Sequence, residues 1–149
     1  MGWAKTDVPE DASLIIVNSC GFIESAKTES IDAVITARAA YPGAKVLLAG
    51  CLAERYAEDF RDTRTEADAF FGNGDLSRLP EVITALFPPK GSSAASATAS
   101  AGEPAVRPIV VPEQKGVCGG LRPELLSFPR TAYIKITEGC DNRCSFCAI

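Results

Sequence analysis

From Ser13 to Phe87, apolar residues alternate between short continuous runs and helical spacing. Ser13-Leu14-Ile15-Ile16-Val17-Asn18 is apolar and β-branched and ends at Ser19-Cys20-Gly21. It predicts a strand buried on both faces, as in a parallel sheet. Phe22, Ile23 and Ala26, then Ile31, Val34 and Ile35, recur near helical spacing. A helix is expected from Phe22 to about Ala40, stopped by Pro42-Gly43. A second strand, Lys45 to Gly50, ends at Cys51, and a helix follows from Leu52 to about Phe60. Ala69-Phe70-Phe71-Gly72 reads as a third, short strand. The loop Asn73-Gly74-Asp75 then leads to a helix from near Arg78 to Phe87, with Pro80 in its first turn, where a missing N–H costs little. Leu79, Val82, Ile83, Leu86 and Phe87 form its apolar face. Strand followed by helix, three times over, is the pattern of an open α/β sheet. Ligands of such sheets bind beyond the carboxyl ends of the strands, and Cys20 and Cys51 each directly follow a strand.

The pattern fails after Phe87. Pro88-Pro89-Lys90-Gly91 opens a stretch of Ser, Ala, Thr and Gly to about Gly102, with no large apolar residue to anchor a core. It reads as a flexible linker. Glu103 to Pro129 is rich in Pro and Gly, with a short edge strand expected near Ile109-Val110-Val111. Cys118 lies there, far in sequence from other cysteines, and is read as a non-ligand. Regular structure is expected to resume with a strand at Thr131-Ala132-Tyr133-Ile134-Lys135-Ile136-Thr137. The loop after it carries Cys140, Cys144 and Cys147, as in a barrel whose active site lies on the loops after its strands. Three units are thus expected: an α/β domain over 1–87, a linker and irregular segment over 88–130, and the start of a second domain over 131–149.

Composition narrows the chemistry. The 149 residues are 46% hydrophobic and 23% charged, with a net charge of −4. Nothing in this balance suggests a broad basic surface for nucleic acid. No apolar run approaches the ~20 residues of a membrane span, and the first residues lack the apolar core of a signal peptide. There are six cysteines and no histidine. Without a secretory leader, cysteines are read as metal-binding or catalytic in a cytoplasmic protein, not as disulfides.

The most informative stretch is Glu138-Gly139-Cys140-Asp141-Asn142-Arg143-Cys144-Ser145-Phe146-Cys147. Three thiolates at C-x-x-x-C-x-x-C spacing can hold three irons of a cubane cluster. Most clusters take four cysteines, so one iron stays open to a ligand from outside the protein. A zinc site would more often show paired C-x-x-C arms or histidines. For Cys20 and Cys51, position alone leaves two readings: ligands sharing one sheet edge, or small buried hydrophobes. For Ser19 and Glu24, a local hydrogen bond and a helix-start charge suffice. Glu138 and Arg143 read as solvated loop charges beside the triad.

The triad resembles the signature of radical S-adenosylmethionine (SAM) enzymes, in which the open iron binds SAM and cluster reduction yields a 5′-deoxyadenosyl radical. Val17 to Ser30, Ala49-Gly50-Cys51-Leu52-Ala53-Glu54-Arg55-Tyr56 and Phe70-Phe71-Gly72-Asn73-Gly74-Asp75 are similar to the N-terminal domain of the radical SAM methylthiotransferases. Ala132 to Cys140 is similar to the entry into their radical SAM domain. The form Cys20-Gly21-Phe22-Ile23-Glu24 resembles the branch that modifies an aspartate of ribosomal protein S-twelve. The branch that modifies a tRNA adenosine usually has a basic residue there, and it is kept as the alternative.

This resemblance implies two [4Fe–4S] clusters. Cys140, Cys144 and Cys147 would hold the one that chelates SAM. Cys20 and Cys51 would be two of three ligands of a second cluster that takes part in sulfur donation. It further implies hydrogen abstraction from the aspartate β-carbon, arrival of a methylthio group there, and an electron donor such as flavodoxin or ferredoxin. The family's first cysteine motif, most of its barrel and its C-terminal domain have no counterpart here. The expectation is therefore a fragment that is inactive alone. From a different class, a non-catalytic iron–sulfur or zinc-binding module would use the same triad.

Overall fold

The computed structural model describes residues 3–63, 66–88, 107–113, 129–131, 134 and 140–147. β1 (Leu14–Ser19) leads into α1 (Glu24–Ala40), β2 (Lys45–Gly50) into α2 (Cys51–Asp62), and β3 (Ala69–Phe71) into α3 (Leu79–Leu86). β4 (Ile109–Val110) closes the series. The four strands form one parallel sheet in the order β1-β2-β3-β4. The α/β parallel-sheet expectation is met, and the expected edge strand near Ile109 is β4. The sheet thus takes its last strand from within the 88–130 stretch. The linker to Gly102, Cys118, Glu138 and most of the strand expected over 131–137 lie outside the described residues.

Alternation along the strands divides the core in two. On one face Val46, Leu48 and Phe70 pack with Val34 and Ala37 of α1 and Leu52, Ala53 and Ala57 of α2. Phe60 of α2 stacks on Phe70, ring centroids 6.2 Å apart. On the other face Leu47, Ala69 and Phe71 pack with Val82, and with Leu79, Ile83 and Leu86 around it. Pro80 takes its place in the first turn of α3.

Two details differ from the sequence pattern. Among the described residues β1 is the outermost strand, and it is not buried on both faces: Ile16 remains 46% exposed. The reason is that α3, the helix on that face, packs on β3 and β4 at the far side of the sheet. In α1 the buried stripe is Ser30, Val34 and Ala37, while Ile31 and Ile35 face outward. Small side chains let α1 lie close to the sheet. Ile31 and Ile35 instead border an apolar groove of about 290 Å³ with Phe60.

A charged clasp holds the opposite end of the sheet from the cysteines. Asp68, just before β3, accepts from the Val46 N–H at 2.8 Å, from the Lys45 ammonium at 3.2 Å and from the Arg38 guanidinium. Arg38 also donates to the Ala44 and Glu66 carbonyls. Burial works against the Asp68 charge, but these donors outweigh it and hold the carboxyl below its ordinary value of 3.8. A carboxylate so lowered stabilises the fold above its unfolded pKa, and that stabilisation is lost as pH falls through the folded value. Asp68→Asn is therefore expected to cost about 1–3 kcal/mol at neutral pH. Urea melts of the two proteins should converge in strong acid, where Asp68 is itself uncharged; a constant gap would contradict this account.

Candidate metal centre

Parallel pairing fixes where the first two cysteines lie. Ser19 of β1 and Gly50 of β2 are register partners. Cys20 and Cys51 directly follow these strands, Cys51 as the first residue of α2, so both stand at the carboxyl edge of adjacent strands. Both are exposed thiols, which removes the buried-hydrophobe reading. The two loops touch: a Cβ on Gly21 would lie 3.0 Å from the Cys51 carbonyl oxygen. Gly50 reaches α2 through φ 98°, where a Cβ would lie 2.6 Å from the Ser19 carbonyl oxygen. Only glycine tolerates that backbone without strain.

Side chains around this edge fix the backbone on either side of the thiols. The Ser19 hydroxyl donates across to the Ala49 carbonyl at 2.6 Å. The Cys20 N–H donates to the Ser30 hydroxyl at 3.3 Å, and Ser30 donates in turn to the Ala26 carbonyl at 2.7 Å. Glu24 opens α1 and pairs with Lys27 at 3.2 Å. That hydrogen bond raises the Lys27 pKa, so the ammonium stays charged. It lies 5.4 Å from the Tyr56 ring centroid, joining the first turn of α1 to the middle of α2. Glu24 thus supplies the expected helix-start charge, whereas the Ser19 hydrogen bond is not local: it crosses from β1 to β2, because Ser19 and Gly50 are register partners.

The third loop completes the edge. The Asn73 N–H donates to Glu54 Oε2 at 2.8 Å, and its side-chain Nδ2 donates to Cys51 Sγ at 3.7 Å. Asn73 and Glu54 were not marked as site residues in the sequence. They lie 22 and 3 positions from Cys51, and spacing alone does not tie them to it. Asn at a turn and Glu in a helix are too common to signal anything alone.

In the last loop, Cys140 and Cys144 are exposed and Cys147 is half-buried. The Cys147 N–H donates to the Cys144 carbonyl at 3.1 Å, a turn that folds the C-x-x-C half back on itself. Arg143 is exposed, as a solvated loop charge should be, and Phe146 is 91% exposed. Among the described residues, no three Cys, Asp or Glu side chains converge to hold a metal ion. The donor chemistry nevertheless suits an iron–sulfur cluster. Five accessible thiols, none in a disulfide, are soft ligands of the kind that select Fe–S or zinc. Ligands on a short loop are commonly gathered by the metal itself.

Comparison with known proteins bears on these motifs. Residues 1–72 match the model of the uncharacterized protein family UPF0004. The chain is 58% identical to the ribosomal protein uS12 methylthiotransferase RimO of Treponema denticola, over 100% of this chain and 30% of that protein. It is 37% identical to the RimO of an Anaeromyxobacter species, over 95% of this chain and 27% of that protein. With the RimO of Caldicellulosiruptor saccharolyticus it shares 36% identity, over 99% of this chain and 31% of that protein. The chain therefore spans about a third of the length of these relatives. No solved structure matches it.

Proposed function

Homologous along its whole length to the ribosomal protein uS12 methylthiotransferases, this chain is, we propose, part of an enzyme that adds a methylthio group to the β-carbon of an aspartate in uS12. The observation that carries this reading is the Ser19–Gly50 register, which sets two exposed thiols side by side at one sheet edge. The three-cysteine loop in the same chain supplies the second requirement of such an enzyme.

In this reading Cys140, Cys144 and Cys147 hold a [4Fe–4S] cluster with an open iron for SAM. Cys20 and Cys51 are two ligands of a second cluster. When bound, the two groups supply radical chemistry from SAM and a sulfur source. The chain's own residues set the geometry. Ser30 fixes the Cys20 backbone, and Gly50 allows β2 to turn directly into α2 with Cys51 at its first position. Phe22 and Ile23, exposed beside Cys20, form an apolar rim that would exclude water once substrate or another part of the enzyme covers the edge. The substrate is a ribosomal protein, so the setting is the cytoplasm. Electrons would come from a small carrier such as flavodoxin or ferredoxin. Among the described residues, no helix is long and apolar enough to cross a membrane.

A chimera tests the proposal. The matching stretch of the Treponema denticola protein is replaced by these 149 residues, and uS12 is examined by mass spectrometry after reaction with SAM and reductant. The chimera is expected to methylthiolate uS12, and its Cys51→Ala version is expected not to. An inactive chimera that still carries both clusters would count against the reading.

A further inference from the structure

Cys51, Glu54 and Asn73 form a closed link at the sheet edge. Cys51 and Glu54 are three residues apart on α2, so they share a face of the helix. Glu54 accepts the Asn73 backbone N–H at 2.8 Å, and Asn73 returns its side-chain amide to Cys51 Sγ at 3.7 Å. The preceding residue, Gly72, leaves room for this. A Cβ there would collide with Glu54 Oε2, the oxygen that takes the Asn73 N–H. The next glycine, Gly74, lies against the Pro112 and Glu113 carbonyls after β4, where a Cβ would not fit. The loop is therefore seated between α2 and the segment after β4.

We propose that Asn73 is a positioning residue for Cys51, donating an N–H···S hydrogen bond to its sulfur when that sulfur is a metal ligand, with Glu54 as the anchor that holds Asn73 in place. The proposal rests on the reading of Cys51 as a ligand. A ligating thiolate offers only lone pairs, so it takes the amide through Nδ2 and not through the carbonyl oxygen. An N–H donor at a ligand sulfur draws off electron density and fixes the side-chain rotamer. Such outer contacts tune a metal site and typically account for 10–100-fold in affinity. Glu54 acts one step further out: its carboxylate fixes the loop backbone, and the loop fixes the amide.

The test uses the full chain with Cys118, Cys140, Cys144 and Cys147 each replaced by serine, titrated with Cd²⁺. The readout is the near-ultraviolet thiolate-to-cadmium charge-transfer band, with urea melts as the folding control. The parent is expected to show the band. Asn73→Leu, close to isosteric with asparagine and without a donor, should bind Cd²⁺ about tenfold more weakly. Its band should also move to lower energy, because a sulfur relieved of its hydrogen bond gives up charge more readily. A purely structural role would not move the band. Asn73→Ala, which also removes the donor and adds no metal ligand, is the second variant should leucine impair folding. Glu54→Gln, which still accepts the Asn73 N–H, should resemble the parent, whereas Glu54→Ala should follow Asn73→Leu. A band of unchanged energy and affinity in Asn73→Leu and Asn73→Ala would overturn the proposal and leave the cluster reading standing. A parent with no band at all would remove Cys20 and Cys51 as a ligand pair, and this inference with them.

Discussion

Replacing Cys140, Cys144 or Cys147 with alanine is expected to abolish the response of the reconstituted chain to SAM. The wild-type chain, given iron and sulfide without oxygen, is expected to take up about four irons in this loop. Its visible spectrum should then change when SAM is added. The three sulfurs are not gathered in advance, so the binding energy of the metal must organise them. Every ligand is then needed. With two thiolates left, two irons of the cube lack protein ligands and the cluster is lost, so the effect is total and not graded. Cys20→Ala and Cys51→Ala should leave the SAM response intact, because those thiols follow β1 and β2 and lie on other loops. Cys118→Ala should do the same. Zinc in place of iron, or iron that ignores SAM, would favour a non-catalytic metal module instead.

Gly50→Ala is expected to be strongly destabilising, because positive φ and a backbone clash coincide there. Its backbone at φ 98° is a region that costs an L-residue about 1–3 kcal/mol. The new Cβ would also lie 2.6 Å from the Ser19 carbonyl oxygen and 2.9 Å from the Asn18 side-chain oxygen. The Ser19 carbonyl belongs to the backbone of β1, so it cannot swing aside without breaking the β1–β2 register. A total loss of about 3 kcal/mol or more follows, a large share of a typical domain's ~5–15 kcal/mol. Gly43→Ala is the matched control. A Cβ there meets nothing within 4 Å and its φ is not positive. It should be neutral, or stabilise by up to about 1 kcal/mol through the unfolded chain. Equal urea midpoints for the two variants would show that the Gly50 turn can relax in ways the packing does not suggest.

The order of elements was legible because it rests on local periodicity. Leu14 to Val17 and Val46 to Leu48 are apolar runs too short for helices, and strands form there. Pro80 and Pro42-Gly43 punctuate the chain where helices start and stop. The cysteine triad was legible for the same reason: ligands on one loop declare themselves by spacing. The α1 face was misread because Ile31 and Ile35 have the hydrophobicity of core residues. Val34 is buried as its spacing implies, and the smaller Ser30 and Ala37 take the places beside it.

Local order along the chain is enough to show that strands and helices alternate, that Cys20 and Cys51 follow strands, and that three further thiols share a loop. All of these depend only on neighbours along the chain. The tertiary structure alone decided that β1 lies beside β2, so that the two loops meet, and that both thiols are exposed there. It alone joined Asn73 to Cys51 and Arg38 to Asp68, partners 22 and 30 residues apart. Strand order and helix placement set those contacts, and they follow from how the whole sheet buries its two faces, which no local pattern encodes.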